Sequence, residues 1–366
     1  MASRGCSSVS AATRNAGCPA QGYGECRGNI NPTAMAYVRM CLPALLALCA
    51  LGATEVASGP VVRNAHAMIF DEERGTTVLF GGADAASVRG DTWTWDGTRW
   101  RQLQISGPPA RTFPAFVWDA RRKEALLFGG RRVLFGRDGE GDTTLSDTWT
   151  FGKTGWRRRN VPGPPPRTEA GIAYDAERGV AVLFGGYDDA GGKTVRRGDT
   201  WEWDGMRWEQ RADVGPAPRS GVAMAYDAGL KRVVLFGGNG GPRSDTWMWD
   251  GVRWEHVVTP DTPGRFNSLA QYDCARNQLV RTTGWSGKKR VSETWVFDGR
   301  RWSLVATTGP SPRNHSALVF DGRRRRLVLH GGHDGTFVFG DTWEWDGRTW
   351  SQRGSTAPQR RINNGH

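Results

Sequence analysis

The chain has 366 residues, enough for two or three ordinary domains or for a single all-β ring. Its 50 Gly and 18 Trp imply many tight turns and many large buried rings, and the main body lacks the Ala/Glu/Lys/Leu-rich stretches of a helical protein, so a helical architecture is excluded. The formal charge of +12 excludes an acidic surface: beyond residue 58 there are 45 basic and 35 acidic side chains, which leaves +10 on the body. Such a field concentrates anions without choosing among acidic polysaccharide, nucleic acid and anionic lipid, and an arginine-rich coding style would produce the same excess on a merely soluble surface.

Five of the six cysteines, Cys6, Cys18, Cys26, Cys41 and Cys49, precede residue 50, and Cys274 alone belongs to the body. One thiol cannot form an internal disulfide, and no Cys-x-x-Cys or Cys/His spacing for zinc is present. Arg39 precedes an apolar run over 41–53, and the small residues Gly52, Ala53, Ala57 and Ser58 follow or close it. That run is too short for a membrane-spanning helix, which needs about 20 residues, and it has the order of a secretory signal. The expected organisation is an N-terminal extension with signal peptide over 1–58, a propeller over 59–354 and a tail over 355–366. The start lies at Met1, Met35 or Met40, and the mature protein is secreted, periplasmic or in the cell envelope. Membrane attachment arises only if the signal is not cleaved.

The body repeats. Asp-Thr-Trp begins at Asp91, Asp147, Asp199, Asp245 and Asp341, with Glu-Thr-Trp at Glu293, giving six units. In every unit an Arg (Arg63, Arg111, Arg167, Arg219, Arg265, Arg313) precedes an aromatic-Asp pair by a constant interval. A Gly-Gly pair follows at a second constant interval, replaced by Thr283-Gly284 in the fifth unit, and a Trp closes each unit. All variation in length falls between the Gly pair and the Asp-Thr-Trp triplet. The constant segments therefore predict paired structure, and the elastic one predicts a loop.

After each Arg the residues alternate, as in Val222 to Tyr226 with Ala223 and Ala225 on the small face, which predicts a strand suited to the crowded centre of a ring. Runs such as Val78-Leu79-Phe80 predict a second strand covered on both faces. Thr-Trp-x-Trp predicts a third, turned by Asp-Gly in five units into a fourth that carries the closing Trp. The fold class is thus all-β: a six-bladed propeller with four antiparallel strands per blade, the Trp side chains packing between blades.

These residues, Arg, Gly-Gly, the third-strand aromatic and the fourth-strand Trp, resemble the kelch family, in the version found in exported bacterial kelch proteins and the galactose-oxidase central domain. The resemblance covers about 61–353. It implies a binding module that uses the face on which the loop between strands two and three opens. Up-and-down strands put the link to the next blade on that same face, so the six repeat arginines are expected at the channel mouth in a structural role, bonding carbonyls or aromatic neighbours. The loops there are basic: Arg89; Arg131, Arg132 and Arg137; Lys193, Arg196 and Arg197; Arg243; Lys288, Lys289 and Arg290. They also carry Phe135, Tyr187, Trp285, Phe337 and Phe339. Guanidinium forks suit carboxylate or sulfate, and rings suit sugars.

Catalysis finds little support. The copper-radical centre of galactose oxidases needs a cross-linked Cys-Tyr pair, whereas Cys274 and Tyr272 belong to the repeat. His315, His330 and His333 in unit six are a weak metal candidate, since His330 stands at a core position and His333 in a turn. Most Asp recur at turns. The expectation is an exported monomeric binding module for an acidic polysaccharide or a protein, with no cofactor and no specific nucleic acid. A carbohydrate-active oxidase, epimerase or lyase on the same ring is the alternative.

Overall fold

The structure is a computed structural model that describes residues 59–133, 144–189 and 193–360. The expected signal segment, Phe135, Arg137 and the chain end from 361 lie outside the described residues.

Six four-stranded antiparallel sheets form the six blades, each built from consecutive sequence. Blade one, for instance, comprises Ala67–Asp71, Thr76–Phe80, Thr92–Trp95 and Trp100–Leu103. The first strand of each blade lies innermost, beside the first strands of both neighbours, and Ala317–Asp321 of blade six lies against Ala67–Asp71 of blade one. The small residues on that strand, such as Ala67, Ala115, Gly171 and Ala223, permit this convergence. The described core divides into six clusters, each shared by two consecutive blades.

The Asp-Thr-Trp triplet couples each blade to itself and to the next. The Thr hydroxyl accepts the indole N–H of the following blade's closing Trp: Trp156 on Thr92, Trp208 on Thr148, Trp254 on Thr200, Trp302 on Thr246 and Trp350 on Thr294, at 2.8–3.1 Å. Trp100 on Thr342, at 3.0 Å, completes the circle. Among the described residues the ring is therefore closed by face packing, each blade being built of its own consecutive strands. The described tail pairs Gln359–Arg360 with Phe337–Val338, and Thr356 N–H donates to Gly340 O at 3.3 Å.

On the opposite face, Arg74, Arg122, Arg178, Arg276 and Arg324 each pair with the Asp three residues earlier, the Asp that ends the first strand. Blade four has Leu230 there, and Asp227 keeps only backbone partners such as Leu230 N–H. Burial accordingly pushes the Asp227 carboxyl above its ordinary range.

The Gly pair is required by close approach. Gly129 has φ +65, and a Cβ there would lie 2.5 Å from the Arg167 carbonyl oxygen of the next blade. Blade five holds the same backbone with Thr283 at φ 58, a strained state for a β-branched residue.

Candidate functional site

All six repeat arginines are buried. In blades one, two, three and six both Nη atoms bind the triplet Asp: Arg63–Asp91 at 2.8 and 2.9 Å, Arg111–Asp147 at 2.7 and 2.9 Å, Arg167–Asp199 at 2.8 Å twice, Arg313–Asp341 at 2.5 and 2.9 Å. Nη1 also donates to the carbonyl of the first Gly, as in Arg111 to Gly129 at 2.9 Å. Arg219 reaches Asp245 Oδ1 at 2.7 Å, and Arg265 makes a single contact to Glu293 at 2.6 Å. The same Asp accepts the indole N–H of the first Trp in its triplet, for example Trp149 to Asp147 at 2.7 Å. The sequence suggested carbonyl or aromatic partners for these arginines; the acid partner, which consumes their charge, lies beyond the elastic loop.

Two residues after each repeat Arg, a buried or half-buried belt of Ala65, Phe113, Glu169, Gly221, Asn267 and His315 has left-handed φ between 51 and 60 throughout. Main-chain bonds run from blade to blade along this belt: Phe113 N–H to Ala65 O at 2.7 Å, Gly221 N–H to Glu169 O at 3.0 Å, Asn267 N–H to Gly221 O at 2.7 Å and Ala65 N–H to His315 O at 2.8 Å. Five side chains bear a conformational cost of about 1 kcal/mol each that Gly221 avoids. The backbone repeats here, but the side chains do not.

Two clusters result. Glu169 is surrounded by protein yet keeps some solvent contact, and it accepts from Ser220 Oγ at 3.3 Å. Burial is the main force pushing its carboxyl up to about 7, aided by Asp189 and opposed by Ser220, Arg196 and Arg131. Tyr187 is buried beside it, and burial together with Glu169 raises its hydroxyl. Arg131 pairs with Asp189 at 3.2 Å.

On blades five and six, His333 Nε2 and His315 Nδ1 lie 3.0 Å apart, and His315 Nε2 is 2.7 Å from the Asn267 amide. Gly335 N–H donates to His333 Nδ1 at 3.1 Å, so a neutral His333 carries its hydrogen on Nε2 and donates it to His315. Phe113 meets His315 edge-on at 4.7 Å. His330 is not part of this group: it is buried beneath the mouth, and no three-ligand metal cluster occurs among the described residues.

The loop residues separate into held and open ones. Arg89 is paired with Asp84, Arg197 with Asp188 at 3.7 Å, and Arg290 donates to Asn314 at 2.9 Å while lying over half-buried Trp285. Phe339 is buried and Phe337 exposed. Arg132, Lys193, Arg196, Arg243, Lys288 and Lys289 are exposed and come from four consecutive blades, two to five. Arg243 lies over Phe266 at 5.1 Å. A Cβ at Gly240 or Gly287 would lie 2.6 or 2.5 Å from Arg196 or Arg243, so glycine in the next loop lets each arginine lie flat along the arc.

Sequence reading found the open cations but missed Phe113, Glu169 and Asn267, which occupy a constant-length segment. The signal was present as a register position whose residue changes in every unit.

No family model and no curated protein matches the chain. Among solved structures it is similar to one described as "Structure of YjhT", with a TM-score of 0.62 at 13% identity, covering 81% of this chain and 99% of that one. At that identity the likeness shows the propeller fold and nothing further.

Proposed function

We propose that the chain is an exported binding module of kelch type that holds an acidic glycan along the open arc of blades two to five. One observation carries this reading: the exposed loop cations are confined to four successive blades. In blades six and one the Asp two residues beyond the Gly pair, Asp334 and Asp84, accepts backbone N–H groups of its own loop, whereas Asp188 at that register in blade three pairs with Arg197. A polyanion following the arc would meet one or two cations per blade. The test is binding of polygalacturonate at low and high salt by the full chain and by a variant with Arg196, Arg243, Lys288 and Lys289 changed to Ser. At about 0.4 kcal/mol per exposed contact, the variant is expected to bind about tenfold more weakly at low salt with unchanged melting. Equal affinity of the two proteins would remove the arc from consideration.

A second reading, a carbohydrate-active epimerase or lyase, is favoured by Glu169, whose carboxyl is poised to exchange a proton near neutrality. Because Glu169 becomes neutral as pH falls through about 7, affinity for an anion at the mouth is expected to rise on acidification. Glu169→Gln is expected to flatten that dependence. A pH profile identical in wild type and variant would place the ligand away from the mouth, and turnover of an acidic oligosaccharide that Glu169→Gln abolishes would establish catalysis.

A further inference from the structure

The seam between blades six and one is built differently from the others. At the end of the second strand, blades one to four carry Phe80, Phe128, Phe184 and Phe236, blade five Thr282, and blade six His330. Three residues after the repeat Arg, His66 stands where the other blades have Pro114, Ala170, Val222, Ser268 and Ser316. The two imidazoles meet edge-on with centroids 5.4 Å apart, and Trp100 of blade one packs on His330 at 4.9 Å. His330 is 0% and His66 5% exposed.

Thr342 Oγ1 accepts the Trp100 indole N–H at 3.0 Å and shares a second hydrogen bond with His330 Nδ1, also at 3.0 Å. His330 Nε2 has no hydrogen-bond partner, and neither ring nitrogen of His66 has one. Five seams are spanned by a chain linker. This one is held only by packing and by bonds such as Arg63 N–H to Phe339 O at 3.0 Å and Gly332 N–H to Arg63 O at 2.9 Å.

We propose that His66 and His330 make this seam an acid-operated latch: as neutral rings they pack blade six against blade one, and protonation opens this seam before any other. The charged groups facing them are few. Arg63 and Arg313 oppose a positive charge on His330 and Asp341 favours it, while His66 faces His330 and Arg63. Burial is the first cause that pulls His330 down to about 3 and His66 well below its ordinary value. With folded values below the open-chain value of about 6.5, the open form takes up protons first. Seam stability is therefore complete above about pH 6.5 and declines below it, about tenfold per pH unit for each imidazole that must charge, until the folded value is passed.

Amide exchange on the full chain at about pH 7.5 and about pH 5, corrected for the intrinsic rate, reads this directly. Protection in Trp100–Leu103 and Thr342–Trp345 is expected to fall at least about tenfold more than in Thr200–Trp203 and Trp254–Val257 of the seam between blades three and four. His330→Phe, which installs the residue of four other blades, and His66→Val are each expected to reduce the difference, and the two together to remove it. Equal loss of protection at both seams in the wild type, or an acid-sensitive seam persisting in the double variant, would overturn the latch.

Discussion

Replacing Asp147 with alanine is expected to lower the unfolding free energy by about 3–5 kcal/mol, the range seen when one partner of a buried ion pair is removed. Arg111 is 0% exposed, and its two Nη atoms bind the Asp147 carboxylate at 2.7 and 2.9 Å. Without that acid a guanidinium remains in the interior with only the Gly129 and Pro109 carbonyls, and the Trp149 indole N–H loses its acceptor at 2.7 Å. Burial by itself would raise Asp147, but the hydrogen bonds and charge of Arg111, with Trp149, outweigh it and hold the carboxyl below the usual range. Its contribution is therefore complete above the unfolded value of about 3.9 and is lost as pH falls through the lower folded value. Denaturant unfolding of Asp147→Ala and Asp147→Asn decides the matter. Asn keeps one acceptor and is expected to cost less than Ala; a loss under about 1 kcal/mol for both would show that Arg111 finds other partners.

The strands and the packing role of the tryptophans were legible because both depend on constant spacing. Period-two alternation placed the inner strand, and the closing Trp stood at one register in all six units. The partner of each buried Arg was not legible. Arg63 and Asp91 are 28 residues apart but Arg111 and Asp147 are 36, because the elastic loop lies between them. A pair whose separation changes leaves no period to detect. The contact of His66 with His330 was hidden because it joins the first and last blades and forms only when the ring closes. Glu169 was obscured in the opposite way, since it lies inside a segment whose regular length marks it as architecture. The loop cations were visible as charge, but which of them remain open depends on Asp84, Asp188 and Asp189, whose pairing follows from the fold. In blade five the triplet begins with Glu293 in place of Asp. Its longer side chain reaches Arg265 through one contact and leaves the Trp295 indole N–H without a partner.

Blade five also carries the change expected to stabilise the protein most, Arg281→Leu. The five other blades have Leu79, Leu127, Leu183, Leu235 and Leu329 at this register, all buried. Arg281 is 1% exposed, with Nε and Nη2 lacking hydrogen-bond partners. Its guanidinium lies 4.1 Å from the Phe236 ring centroid, 5.0 Å from Trp302 and 5.5 Å from Trp295. Burial first, and then Arg265, pull it down to about 9, so it remains charged at neutral pH, with Glu293 the favourable charge acting on it. Attraction to the rings returns about 2 kcal/mol, whereas an interior charge without an acid at hydrogen-bond distance costs several. Leucine forgoes the ring attraction and a little volume but removes the larger penalty, so a gain of about 1–3 kcal/mol is expected, within the range for apolar replacement of buried charge. Denaturant unfolding of Arg281→Leu beside Arg281→Met, which preserves more of the length, separates charge from volume. A gain in both identifies the charge as the liability. A loss above about 1 kcal/mol in both would mean that the guanidinium holds an anion between blades four and five, and high chloride should then stabilise the wild type but neither variant.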